Sequence, residues 1–162
     1  MIDNPYGADL GSRDPVQSLA ETPARIDALV RGFSSADFER TYAPGKWTAR
    51  QILVHLTQTE LMIEPRIRLA LTAKGYTVQP FEQDDLLALE PGGSAIVALD
   101  AYLAVRRFSL PLFTSLTPAQ LAVRCGHPQH GEIDLRWILV MLAGHELRHL
   151  GQLQSLRAAP GV

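Results

Sequence analysis

Apolar positions recur along most of this chain at i, i+3 and i+4, the period of a helix with one inward face. Four long stretches carry the pattern. The first opens at Asp14-Pro15, an N-cap followed by Pro at the first helical position, and runs through Leu19, Ile26, Leu29 and Val30 to Gly32. Pro23 inside it predicts a kink or a restart capped by Thr22. The second begins at the capping box Thr48-Ala-Arg-Gln51, with Trp47 and Ile52 in the staple positions. It continues through Leu56, Ile63 and Ile67 to about Ala73, with Pro65 inside. Ser94 caps the third, through Leu99, Leu103, Phe108 and Leu112, with Pro111 in its last turn. The fourth spans about Asp134–Arg157. Short helical turns are expected at Ser34–Phe38, Gln83–Leu89 and Thr117–Gln120, and a loop at Val123–Glu132. No stretch shows the alternation of a half-buried strand.

These elements predict an all-α fold, a four-helix bundle with a long crossover over residues 74–92 between the second and third helices. Residues 1–13, rich in Gly, Pro, Asp and Ser, read as a loosely held N-terminal arm, and residues 14–162 as one domain.

Composition narrows the function classes. A charge of −2 without a basic run gives no footprint for nucleic acid. No apolar run approaches the roughly 18 residues of a membrane span, and the first residues do not form a signal peptide. One cysteine, Cys125, excludes an internal disulfide framework and fits a reducing, cytoplasmic setting. A small-molecule substrate is the expected partner.

The chemistry concentrates in the fourth helix. His145 and His149 share its apolar stripe with Ile138, Met141, Leu142, Gln152 and Leu156. Two inward imidazoles are half a divalent-metal site, and coordination would satisfy both. His145-Glu146-Leu147-Arg148-His149 also spells H-E-x-x-H, the zinc-protease motif. That reading fails, because residues 150–162 hold no His, Asp or Glu to supply the downstream ligand. A third ligand has to come from upstream, and His55 lies on the apolar face of the second helix. If the second and fourth helices pack antiparallel, His55 and the pair fall at matching levels to within about a turn. Three imidazoles with one open position is the pattern of a catalytic site, and imidazole alone suits Zn, Ni, Cu or Fe.

Other candidates have ordinary readings beside functional ones. Gln152 either orients a ligand imidazole or is a buried amide bonded to a neighbouring helix. Glu146 is a surface carboxylate by default and a general base at the site's rim otherwise. His127 and His130 read as exposed loop histidines that could reach over a pocket mouth, and Cys125 as an inert buried thiol. Glu60, Arg66 and Arg68 read as surface charges, with one arginine available to an anionic substrate. Gly151 in mid-helix suggests close approach of another helix.

The segments Glu21-Thr-Pro-Ala-Arg25, Ala43-Pro-Gly-Lys-Trp47-Thr-Ala-Arg-Gln-Ile-Leu-Val-His55-Leu56 and His127-Pro128, with Gly131-Glu132 and His145-x3-His149-x-Gly151-Gln152-Leu153, resemble the DinB/YfiT-like superfamily. The resemblance implies an antiparallel four-helix bundle of unusual order, often a homodimer. It implies a divalent metal, Zn or Ni, held by His55, His145 and His149. It also implies an activity of thiol S-transferase or hydrolase type, with a low-molecular-weight thiol as a possible second cofactor. The alternative is a stress-related binding module whose metal is chiefly structural.

Overall fold

The computed structural model describes residues 3–158. Its elements are α1 (Gly7–Leu10), α2 (Pro15–Val30), α3 (Ser35–Phe38), α4 (Ala49–Thr72), α5 (Gln83–Ala88), α6 (Ala95–Ser115), α7 (Pro118–Leu121), β1 (Arg124–His127), β2 (Gly131–Asp134) and α8 (Leu135–Ala158). Local chemistry sets the helix starts. Asp14 accepts from the Gln17 amide at 2.8 Å ahead of Pro15. Thr48 and Gln51 form the reciprocal capping box of α4, and Ser94 caps α6. No helix among the described residues is long and apolar enough to cross a membrane.

The four long helices form a four-helix bundle with two helices running each way, in which α2 packs on α8 and α6, and α4 packs on α6 and α8. Two apolar clusters give the directions. Leu19, Ile63, Phe113, Leu135 and Ile138 share one; Ile26, Ile52, Leu99 and Leu153 share the other. The starts of α2 and α8 therefore lie at the same end as the finishes of α4 and α6. The neighbours α4 and α6 run parallel, which obliges the chain to travel back along the bundle between them, the role of the crossover containing α5.

Between the two clusters lies a band of buried polar side chains, and Arg106 is its centre. Arg106 Nη2 donates to Glu60 Oε1 of α4 and Glu146 Oε1 of α8, each at 2.5 Å. Its Nη1 donates to Glu146 Oε2 at 3.2 Å and to the Leu19 carbonyl of α2 at 2.9 Å. That carbonyl is free because the residue four positions on is Pro23, which has no N–H to offer it. The helix α2 neither ends nor restarts at Pro23. One guanidinium of α6 thus bonds to all three other helices.

Three expectations are corrected. The loop over Val123–Glu132 contains a hairpin, β1 pairing antiparallel with β2 and Cys125 opposite Ile133, the buried residue of each strand. One buried residue per strand leaves too little alternation to read. The crossover adds to the hairpin's edge, where Val78 N donates to Gly126 O and Gly126 N to Tyr76 O. Second, the described part of the N-terminal arm, residues 3–13, is docked rather than loose. Asn4 Nδ2 donates to the Trp137 carbonyl at 2.9 Å, Asp9 pairs with Arg148 at 2.8 Å, and Leu10 is buried. Third, Gly151 has open space around it, and the close approach occurs instead at Gly144, where an added Cβ would meet the Tyr6 carbonyl oxygen at 2.1 Å.

These contacts give two stability predictions, both read from denaturant unfolding. Gly144→Ala should lose about 1–3 kcal/mol by displacing the arm, whereas Gly151→Ala should gain up to about 1 kcal/mol from helix propensity. Arg106→Leu should lose about 3–5 kcal/mol by stranding two buried carboxylates, and the triple change Arg106→Leu, Glu60→Leu, Glu146→Leu should recover much of that. A triple variant as unstable as the single one would refute the second.

Candidate metal centre

The polar band carries three imidazoles on its α4–α8 side. His55 is in the second turn of α4, and His145 and His149 face it from α8, one turn apart. Antiparallel packing brings the levels together. His55 Nε2 lies 2.9 Å from His145 Nε2, and His149 Nε2 lies 3.0 Å from His145 Nε2. All three residues are buried, with one ligand atom from each within 4.8 Å of the others.

Neighbours orient the rings. Gln152 Nε2 donates to Tyr42 Oη at 3.1 Å, which leaves its Oε1 to accept from His149 Nδ1–H at 2.7 Å. The His149 proton is then on Nδ1, and its Nε2 lone pair points at the other rings. Trp47 packs against His55 at 4.7 Å and stacks on His149 at 6.2 Å. Tyr6 meets the His145 ring edge-on at 5.1 Å. Burial pushes the imidazole of His55 down to about 3 and that of His149 down to about 4, and drives His145 well below the ordinary value. The rings are therefore held in the neutral form that a metal requires.

This donor set fits a cation better than it fits a hydrogen-bond network. A single proton among the three clustered nitrogens can serve only one of the two Nε2–Nε2 contacts and leaves the other without a hydrogen bond. His145 Nδ1 is buried and has no hydrogen-bond partner among the described residues, whether or not its Nε2 holds an ion. A divalent ion takes all three lone pairs at once.

His55 and His145 are reached through a cavity of about 310 Å³. Ile63, Val78, Ile133, Trp137, Ile138 and Met141 make its apolar wall, and Arg66, Glu82, His127 and His130 add polar groups. The histidines read as loop residues thus sit on the hairpin and line the cavity, in ring contact with Trp137 at 6.0 and 4.9 Å. Cys125 is buried beneath them, its thiol pushed up by burial, and does not line the cavity.

Glu146 and Glu60 depart from the reading as surface groups. Both are fully buried in the Arg106 cluster. Burial pushes the Glu146 carboxyl up to about 7 against the pull of Arg106. Glu146 does not reach the cavity, so it is placed to tie helices together rather than to take a proton from a substrate. Arg66, also buried, lines the cavity, while Arg68 pairs with Glu64. A signal for the buried charges existed: Glu60 lies four residues after Leu56 and three before Ile63, on the apolar stripe itself.

Comparison with known proteins gives this geometry a context. A protein of Bacillus mycoides (strain KBAB4) named "putative metal-dependent hydrolase" is 26% identical over 146 residues, covering 88% of this chain and 83% of its own. A Bacillus cereus (strain B4264) protein of the same description is 25% identical over the same length. Among solved structures, YfiT from Bacillus subtilis, described as "a probable metal-dependent hydrolase with an unusual four-helix bundle topology", matches with a TM-score of 0.83 at 22% identity, covering 89% of this chain and 84% of its own. A mycothiol-dependent maleylpyruvate isomerase matches with a TM-score of 0.71 at 12% identity, over 91% of this chain and 62% of its own. Structural likeness at these identities establishes the fold alone. The DinB superfamily matches residues 18–153, a span that runs from the first bundle helix through both histidines of α8, and the chain belongs to that superfamily.

Proposed function

We propose that this protein is a divalent-metal-dependent enzyme that activates water or a small thiol toward an electrophilic small molecule, as a hydrolase or a thiol S-transferase. The observation that carries the reading is the cavity that ends on His55 and His145. A purely structural ion would be closed off from solvent, whereas three imidazoles beside an open space leave a coordination position to fill.

His55, His145 and His149 would hold the ion; an all-imidazole set suits Zn and Ni among other metals, and these two are the ones the family resemblance implies. A divalent cation held there lowers the pKa of the water or thiol beside it toward neutrality. Gln152 and Tyr42 hold the His149 ring in its tautomer. Trp47 and Tyr6 keep two of the rings' faces dry. The apolar wall excludes water from a bound substrate, and His127 and His130 offer nitrogens to its distal part. The relatives' description as metal-dependent hydrolases supports the hydrolase arm, and the isomerase's dependence on mycothiol supports the thiol arm.

Elemental analysis of the purified protein should find about one divalent metal per chain, with alanine at any of the three histidines lowering that content. Gln152→Ala should weaken metal binding about 10–100-fold while leaving the ligands in place. Turnover of activated esters, or transfer of a thiol to an aryl halide, should disappear on chelation and return with Zn or Ni. Activity unchanged in metal-stripped protein would sink the proposal.

A second test concerns protonation. In metal-free protein the side-chain resonances of His55 and His149 should not move through pH 6.5, and should titrate only near pH 3–4. Unfolded imidazoles take up protons below about 6.5 and the folded ones do not, so these residues contribute stability that is complete above pH 6.5 and lost as pH falls toward their folded values. Glu146 works oppositely between about 7 and its ordinary range, so the histidine loss should show unopposed only below about pH 4.5 in acid unfolding.

A further inference from the structure

Arg66 of α4 is a buried cation, 8% exposed, and forms no ion pair with a carboxylate among the described residues. Its Nη2 donates to the backbone carbonyl of Gln79, and its guanidinium lies over the Phe81 ring at 5.0 Å. Burial depresses its pKa, the ordinarily neutral Tyr76 and Cys125 act against that, and its charge in turn joins burial and His130 in lowering the His127 imidazole across the cavity. The other buried guanidinium, Arg106, has two carboxylates, and Arg68, two residues away, has Glu64. Glu82, on the cavity rim, is exposed and makes no ion pair with Arg66 among the described residues. An ion taken out of water without a counter-charge costs several kcal/mol, so a cation left in this condition beside a cavity has its counter-charge to gain from whatever enters.

The placement is specific. Thr59 and Ile63 lie along α4 between His55 and Arg66, and all four line the cavity. Eleven residues at about 1.5 Å each put the two Cα atoms roughly 16 Å apart. Side chains on a helix lean toward its N-terminus, so the guanidinium and the His55 ring lean the same way and their separation stays on the order of that between the Cα atoms. Between them Ile63 gives an apolar surface and Thr59 a buried hydroxyl with no hydrogen-bond partner among the described residues.

We infer that the cavity takes a small molecule with an apolar body and an anionic group, a carboxylate in the simplest case, which Arg66 neutralises at the end remote from the imidazoles. Which end of the ligand reacts rests on the proposed metal-dependent activity; the anion site itself does not.

The test compares hexanoate with hexanamide, matched in shape and differing in charge, by calorimetry on metal-free and Zn-loaded protein. Hexanoate should bind at least about tenfold more tightly in both forms, as for a hydrogen bond to a charged group. Arg66→Gln should reduce the ratio to below about twofold, and Arg68→Gln should leave it unchanged. Equal binding of the two probes, or a preference that survives Arg66→Gln, overturns the inference. A preference seen only with Zn present places the carboxylate on the metal, overturning this inference and leaving the metal reading intact. A preference retained by protein that takes up no metal does the reverse. Should Arg66→Gln fail to fold, the Arg66 Nε–Hε resonance of the wild-type protein decides: it should move with hexanoate and not with hexanamide, and a stationary resonance overturns the assignment.

Discussion

One guanidinium holds this bundle in register. Arg106 sits where the apolar clusters part, and its two terminal nitrogens reach a carboxylate of α4, a carboxylate of α8 and a bare carbonyl of α2. Leu packing tolerates a helix sliding by a fraction of a turn at modest cost; a planar fork with three fixed targets does not. Burying such a cluster is weak evidence of net stability, since desolvation offsets much of the attraction. Its consequence here is positional. The same layer that Arg106 pins contains the three imidazoles, and Glu146 is the residue next to His145.

That adjacency explains how α8 serves two partners. It packs on α2 and α4 at once, so its buried surface is wider than a single stripe. His145 and His149 face α4, and Glu146, about 100° further round, faces the bundle axis. Metal-site geometry tolerates errors of a few tenths of an ångström. A neighbour clamped by two hydrogen bonds is a direct way to keep His145 from drifting.

The sequence made the frame and the triad of imidazoles legible because both depend on short-range periodicity. Helix starts carry caps, as at Thr48 and Ser94, and stripes carry the 3.6 period. The matching of His55 with His145 and His149 follows from counting residues to each helix end once the bundle is assumed. The rest lay outside that logic. Glu60, Arg106 and Glu146 occupy stripe positions, yet a charge on a stripe reads as a boundary unless its partners are known, and these lie 40 or more residues apart. Pro23 read as a break because its missing N–H has a local cost; the donor that answers it comes from Arg106. The docked arm depends on Gly144, a residue whose meaning appears only when the Tyr6 backbone is set against it. The hairpin pairs with the crossover, a contact no local pattern records.

The division between legible and illegible parts coincides with a division of labour. Imidazoles come from α4 and α8, rigid elements whose spacing is set by the bundle. The cavity above them takes its wall from the N-terminal arm, the crossover and the hairpin as well as from those helices: Tyr6, Val78, Phe81, His127 and Ile133 all contribute. Connecting segments can change length and side chains without disturbing a bundle, whereas the three histidines cannot shift without taking their nitrogens out of reach of one another. Proteins that share this frame can therefore share a metal and differ in what they act upon. The three outer segments that wall the cavity are the surface that similarity of fold leaves free to vary.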